Sequence, residues 1–107
     1  ESGFSTFTRE DNIRYLKEFK LNESVYPSFV LYKVNKKLMH FVGILKNKDD
    51  QIAAIFETIL GHIDLKKRKI VNFPDERFQH ILNVCNEQNK NIELPFDVKL
   101  YIKDINA

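Results

Sequence analysis

Apolar residues fall into five runs separated by short polar turns, and the spacing within each run predicts its element. Residues 4–19, FSTFTREDNIRYLKEF, alternate with period two: Phe7, Ile13 and Tyr15 share one parity, which reads as a strand. A helix from Asp11 is the alternative, because Ile13 and Leu16 also suit helical spacing. KLNES (20–24) is a turn, and VYPSFVLYKVN (25–35) is a β-branched and aromatic strand with Pro27 near its start, where a strand tolerates proline. Lys36 and Lys37 form a hairpin turn into LMHFVGILKN (38–47). KDDQ (48–51) turns the chain into its longest strand, IAAIFETILGHIDL (52–65). After KKRK and IVNFP comes a helix. Asp75 is its expected N-cap, Phe78, Ile81, Leu82 and Cys85 form its apolar stripe, and it fades in the asparagine-rich stretch 86–91. One further short strand is expected at 97–103.

The alternation is not clean. In the 52–65 strand, Phe56, Leu60 and His62 share one face, while Ile55, Glu57, Ile59 and Ile63 share the other. In the 38–45 strand, Leu38, His40, Val42 and Ile44 oppose Met39, Phe41, Gly43 and Leu45. An antiparallel sheet with one wet face alternates apolar and polar residues. Here both faces are apolar, so both need a cover. The helix supplies one. The other is expected from a partner subunit or from residues preceding Glu1.

Composition narrows the class. At 107 residues, with 43% hydrophobic and 30% charged residues, the chain fits one ordinary globular domain. The net charge of +2 is too small, and its cations too dispersed, to argue for nucleic acid. A single cysteine, Cys85, excludes an internal disulfide framework and a zinc cluster, and a cytoplasmic setting is expected. No run is long enough to span a membrane. Met39 is the sole methionine and the chain opens Glu-Ser-Gly, so position 1 is not expected to be the native start: the chain is processed, engineered or part of something longer.

Three short motifs occur in order. The first holds Glu10, Ile13, Arg14, Tyr15, Leu16 and Glu18; the second Lys37, Leu38 and His40; the third Ala53, Glu57, His62 and Asp64. Together they resemble the hot-dog acyl-CoA thioesterases, above all those akin to betainyl-CoA thioesterases and the thioesterase part of carnitine dehydrogenase fusions. The resemblance runs from about Phe7 to about Ile102. It implies an α+β fold with a curved antiparallel sheet and a C-terminal helix, a homodimer or higher homo-oligomer, and hydrolysis of a small acyl-CoA at a subunit interface. Acyl-CoA would be substrate, with no cofactor or metal. Two departures stand out. Asn12 takes the place of the family's usual histidine, and the strand, central helix and Asp-bearing segment that open the family's fold have no counterpart in this chain.

The resemblance and the residue chemistry together mark candidate sites. Glu57, His40 and Asn12 are the catalytic candidates. A desolvated Glu57 suits a general base that activates water; a structural ion pair with Arg14 or a lysine is the competing role. His40 and His62 lie on adjacent strands, where they are expected to face each other and to contact the thioester or acyl head group, or else to be hydrogen-bonded within a dimer interface. Asn12 can donate and accept but not transfer protons, so it and Arg14 orient substrate or serve structure. Lys66, Lys67 and Arg68, followed by Lys69, form the basic cluster expected to meet coenzyme A phosphates, with a solvated turn as the alternative. Asp64 is expected to cap that turn, and Cys85 to be a small buried hydrophobe. A non-catalytic acyl- or CoA-binding subunit and a structural dimerisation module are the competing functions.

Overall fold

The computed structural model describes residues 4–17, 24–90 and 94–103. Four long strands and one short one build a five-stranded antiparallel sheet. They are β1 (Phe4–Tyr15), β2 (Tyr26–Val34), β3 (Leu38–Lys46), β4 (Ile52–Asp64) and β5 (Lys69–Ile70), followed among the described residues by one helix, α1 (Asp75–Asn89). The strand order is β1-β4-β3-β2, with β5 paired to the end of β4. The strand reading of the first segment holds and the helical alternative does not, because β1 finds a full-length partner in β4 from Phe4↔Asp64 to Tyr15↔Ala54. Most of the turn expected at 20–24 lies outside the described residues. Among the described residues, no helix is long and apolar enough to cross a membrane.

Register settles which residues share a face. Asn12↔Glu57 and Arg14↔Ile55 pair across β1 and β4, and His40↔Ile59 and Val42↔Glu57 pair across β3 and β4. Directly opposed residues point the same way, so Asn12, Arg14, His40, Val42, Glu57 and Ile59 share one face. On the other face, α1 packs against β2. Leu31, Val34, Phe73, Phe78 and Cys85 form a core there, joined by Met39, Phe41, Ile81, Leu82 and Val84. Gly43 lies under the Phe56 ring on this face. A Cβ there would run into that ring and meet the Ser28 carbonyl at 2.8 Å, so glycine lets the aromatic lie flat across β3.

Two local expectations are corrected. Asp75 is not the N-cap; it is the first helical residue, and Pro74 occupies the cap position with no side-chain cap hydrogen bond. Asp75 and Glu76 act through charge at the positive end of the helix. The helix ends inside the asparagine-rich stretch, as expected: it runs through Asn89, whose Nδ2 donates to the Leu31 and Cys85 carbonyls. Gln88 Oε1 accepts the Leu31 N–H at 2.7 Å, so the helix satisfies both backbone groups of one residue on the free edge of β2. Finally, residues 97–103 form no strand. They cross the Glu57 face as an irregular segment, held by a side chain instead of a ladder.

That segment supplies part of the cover the sequence seemed to lack. Ile102 is buried and Phe96 lies beneath the Arg14 guanidinium, 5.4 Å from carbon to ring centre. Uncovered apolar surface persists at Ile13 (56% exposed) and at Phe29 (62%), which meets Phe56 edge-on at 4.9 Å.

Candidate functional site

The centre of the site is Glu57, midway along β4 and 1% exposed. Burying a carboxylate is costly unless donors replace its lost water. Four donors do so. Oε2 accepts from the Lys99 backbone N–H at 2.7 Å and from Arg14 Nη2 at 3.1 Å. Oε1 accepts from the Leu100 N–H at 3.0 Å and from His40 Nε2 at 3.1 Å. With Glu57 as an acceptor-only carboxylate, the matching His40 tautomer carries the shared proton on Nε2. All the usual acceptor positions of Glu57 are thereby occupied.

His40 is equally buried, at 1%, and Tyr32 packs edge-on against its ring at 5.5 Å. Burial pushes its pKa below the ordinary histidine value of 6.5, and this outweighs the upward pull of the Glu57 hydrogen bond and charge. A neutral ring that donates from Nε2 keeps Nδ1 as a proton acceptor. Asn12 stands directly across from Glu57. Among the described residues, Asn12 Oδ1 and Arg14 Nε have no hydrogen-bond partner, which leaves one acceptor and one donor beside the carboxylate.

The fold therefore brings Asn12, Arg14, His40 and Glu57 together and places His62 elsewhere. His40 pairs with Ile59 and His62 lies three residues further along β4, on the opposite parity, so the two histidines do not face each other. His62 is buried on the α1 side of the sheet with its ring 4.8 Å from that of Phe73. Its pKa is lowered by burial first and by the nearby Arg77 charge second.

Lys66, Lys67 and Arg68 lie in the exposed turn between β4 and β5. Asp64 Oδ1 accepts the Lys66 and Lys67 N–H groups at 2.9 and 3.2 Å, which is the turn cap expected of it. These bonds also hold the Asp64 carboxyl below its usual range. Tyr15, quoted with the first motif, is 72% exposed and has parity opposite to Asn12. Cys85 is buried in the helix stripe, and burial raises its thiol pKa, as suits a packing residue.

Sequence reasoning missed the donors from the C-terminal segment. Backbone N–H groups carry no residue signature, so nothing in the letters of Lys99 or Leu100 announces that they hold Glu57. It also missed a cleft of about 590 Å³ beside the site, bordered by Arg9, Lys36, Lys37, Ile59 and Tyr101. The Glu57 group and this cleft meet at Ile59, the cross-strand neighbour of both Glu10 and His40.

Comparison with known proteins places this geometry in context. The thioesterase-like superfamily matches residues 1–95. The L-carnitine dehydrogenase/betainyl-CoA thioesterase of Rhizobium meliloti (strain 1021) is 32% identical over 77 residues, covering 71% of this chain and 16% of the relative. A hypothetical protein from Staphylococcus aureus, solved in complex with CoA, superimposes with a TM-score of 0.79 at 23% identity, covering 95% of this chain and 65% of that one. A DHNA-CoA thioesterase from the same organism gives 0.71 at 18% identity, over 85% of this chain and 64% of that one. The chain thus spans 16% of the length of the curated relative and under two thirds of each solved structure. The curved sheet with its C-terminal helix is the hot-dog architecture of these thioesterase neighbours.

Proposed function

The chain belongs to the thioesterase-like superfamily, and on that premise we propose that it hydrolyses the thioester of a small acyl-CoA at a site completed by a second copy of the chain. The observation that carries this reading is the buried Glu57–His40 pair beside an open cleft. His40 Nδ1 takes a proton from water. The resulting hydroxide attacks the thioester carbonyl carbon, the tetrahedral intermediate breaks its C–S bond, and the departing sulfur receives the proton from His40. The products are a carboxylic acid and coenzyme A. Glu57, its acceptor positions filled, is a positioning residue: it fixes the tautomer and orientation of His40 through Nε2. The side chain of Asn12 and the unpartnered Nε of Arg14 hydrogen-bond the substrate or the attacking water. Exposed Ile13 and Phe29 support a subunit contact, since apolar sheet surface of this kind favours burial.

A panel of acyl-CoAs assayed for thiol release tests the reading. His40→Gln is expected to lower kcat by about 100-fold or more, the usual worth of a general base. A wild-type protein that releases thiol from no member of the panel refutes it. Sedimentation in the same buffer tests the oligomer. One observation favours a second reading, a subunit that binds CoA without turnover: both members of the Glu57–His40 pair are almost fully buried. CoA binding with no hydrolysis would select it.

A further inference from the structure

We infer that residues 94–103 form a strap that closes the Glu57–His40 site and has to lift before the pair can meet substrate. This motion deepens the functional reading above and rests on it only for what the uncovered pair then does. As the chain stands, His40 and Glu57 are each 1% exposed, so neither a thioester carbonyl nor bulk water reaches them. The C-terminal segment is part of what seals them. The Leu100 N–H and His40 Nε2 converge on the same oxygen of Glu57, Oε1, and the Lys99 N–H takes the other. The strap therefore runs next to the imidazole and fills two of the carboxylate's acceptor positions with its own amides.

The segment lies on the sheet without belonging to it. Among the described residues, no backbone-to-backbone hydrogen bond joins 94–103 to any strand. Its residues nevertheless alternate. Leu94, Phe96, Val98, Leu100 and Ile102 are half-buried or buried, and the residues between them are exposed. One apolar edge is thus laid against the sheet, and side chains hold it there. Phe96 packs against the Arg14 guanidinium, and Ile102 is 2% exposed. Asn35 Nδ2 donates to the Lys103 carbonyl at 3.1 Å, and the Lys33 ammonium lies 5.3 Å from the Tyr101 ring centre. These anchors are few and discrete. Glu57, Asn35 and Lys33 stay with the sheet when the strap leaves, so opening breaks no strand pairing. A segment held in this way opens locally at lower cost than the ladder beneath it.

Two hollows flank the strap. One, of about 590 Å³, borders Tyr101, Ile102 and Lys103 and has Ile59 in its wall. The other, of about 180 Å³, borders Leu94, Pro95 and Phe96 and has Val42 in its wall. Val42 is the cross-strand partner of Glu57, and Ile59 is the partner of His40. Residues 97–100 border neither hollow, and two of them are bonded to Glu57. They are the partition between the hollows. Lifting them joins both into one groove that crosses Glu57 and His40. Closed, the strap keeps the pair from bulk water; open, it admits a ligand, and a ligand that binds only the open form shifts the population toward it.

The test is modification by diethyl pyrocarbonate, read at each histidine by mass spectrometry. The chain has three histidines, and two serve as controls. His80 is exposed on α1 and reports the unhindered rate. His62 is buried on the α1 side of the sheet against Phe73 and reports global unfolding. N35D and I102A release the strap without altering Glu57, His40 or Arg14. The aspartate keeps the oxygen that accepts the Lys37 and Leu38 N–H groups at 2.9 and 2.8 Å, but replaces the donor to the Lys103 carbonyl with a second oxygen. The alanine removes the buried apolar anchor. Circular dichroism confirms that each variant is folded. In the wild type, His40 is expected to react at least tenfold more slowly than His80 and at least tenfold faster than His62. Each variant should speed His40 about tenfold, within what the loss of three buried carbons supplies in I102A, and leave His62 unchanged. I102A should also raise kcat/KM for acyl-CoA hydrolysis at least threefold. His40 reacting in step with His62, or as fast as His80, overturns the strap, because the site then opens only on unfolding or is never closed. An unchanged His40 rate in both variants overturns it too. So does a fall in kcat/KM alongside faster labelling, since the segment then supports the active arrangement instead of blocking it. Failure of the functional reading looks different: the expected labelling pattern with no hydrolysis by the wild type or either variant refutes the esterase and leaves the strap standing.

Discussion

Replacing Glu57 by glutamine should loosen the C-terminal segment from the sheet, and the size of the effect follows from the geometry. The amide is close to the carboxylate in shape, but it turns one of the two acceptor oxygens into a donor. If the NH2 takes the Oε2 position, it faces the Lys99 N–H and Arg14 Nη2. If it takes the Oε1 position, it faces the Leu100 N–H and His40 Nε2. His40 can switch tautomer and accept, so the second arrangement is the less costly. Even then the Leu100 N–H is left without its acceptor. Losing the charge assistance of the other bonds adds to the loss of this one. A hydrogen bond to a charged group is worth about 1.5–3 kcal/mol and an orphaned buried donor costs about 1–3 kcal/mol, so E57Q should destabilise by about 2–4 kcal/mol. Arg14 is partly exposed, and its ion pair adds little to that figure. Urea unfolding gives the total, and amide hydrogen exchange at Lys99 and Leu100 locates it. A variant within about 0.5 kcal/mol of wild type, the range of an inert surface change, with both amides still protected, would refute the claim that Glu57 holds this segment.

Two further outcomes follow from the same structure. Burial pushes His40 and His62 below the ordinary value of 6.5, so the unfolded chain takes up protons at these positions before the folded one does. Their contribution to stability is complete above about pH 7 and is lost as pH falls through 6.5 toward the folded values; melting temperature against pH should show this fall, and H40Q should flatten it. Gly43→Ala should destabilise by about 1–3 kcal/mol, the range for forcing extra atoms into a packed site, because the added Cβ meets the Phe56 ring and the Ser28 carbonyl. A thermal melt checks it, and the double variant G43A/F56A should recover part of the clash term.

Much of the architecture was legible in the letters, because a strand's period of two and a helix's 3.6 are local properties. The four long strands and helix α1 lie within a few residues of where the hydrophobic pattern puts them. The shared face of Asn12, Arg14 and Glu57 was hidden by the bulge at Arg9, which shifts the parity of β1 relative to a regular count. The pairing of Glu57 with Arg14 was one of the two roles its chemistry allowed. His40 and His62 looked like neighbours because their strands are adjacent, but pairing depends on register, and a one-residue offset puts two side chains on opposite faces of a sheet.

The residue pattern by itself determined a short, two-sided apolar sheet with a covering helix, and it marked Glu57 as a polar group in an apolar strand. Only the tertiary structure decided what that group does. Its partners come from 42 and 43 residues away in two cases and are backbone amides, which have no identity in a sequence. The cationic cleft is likewise invisible along the chain: Arg9, Lys36 and Lys103 are remote from one another and look like ordinary surface charges. They become one positive concavity only because a bulge, a pinned turn and a segment latched to a buried carboxylate meet at the same edge of the sheet.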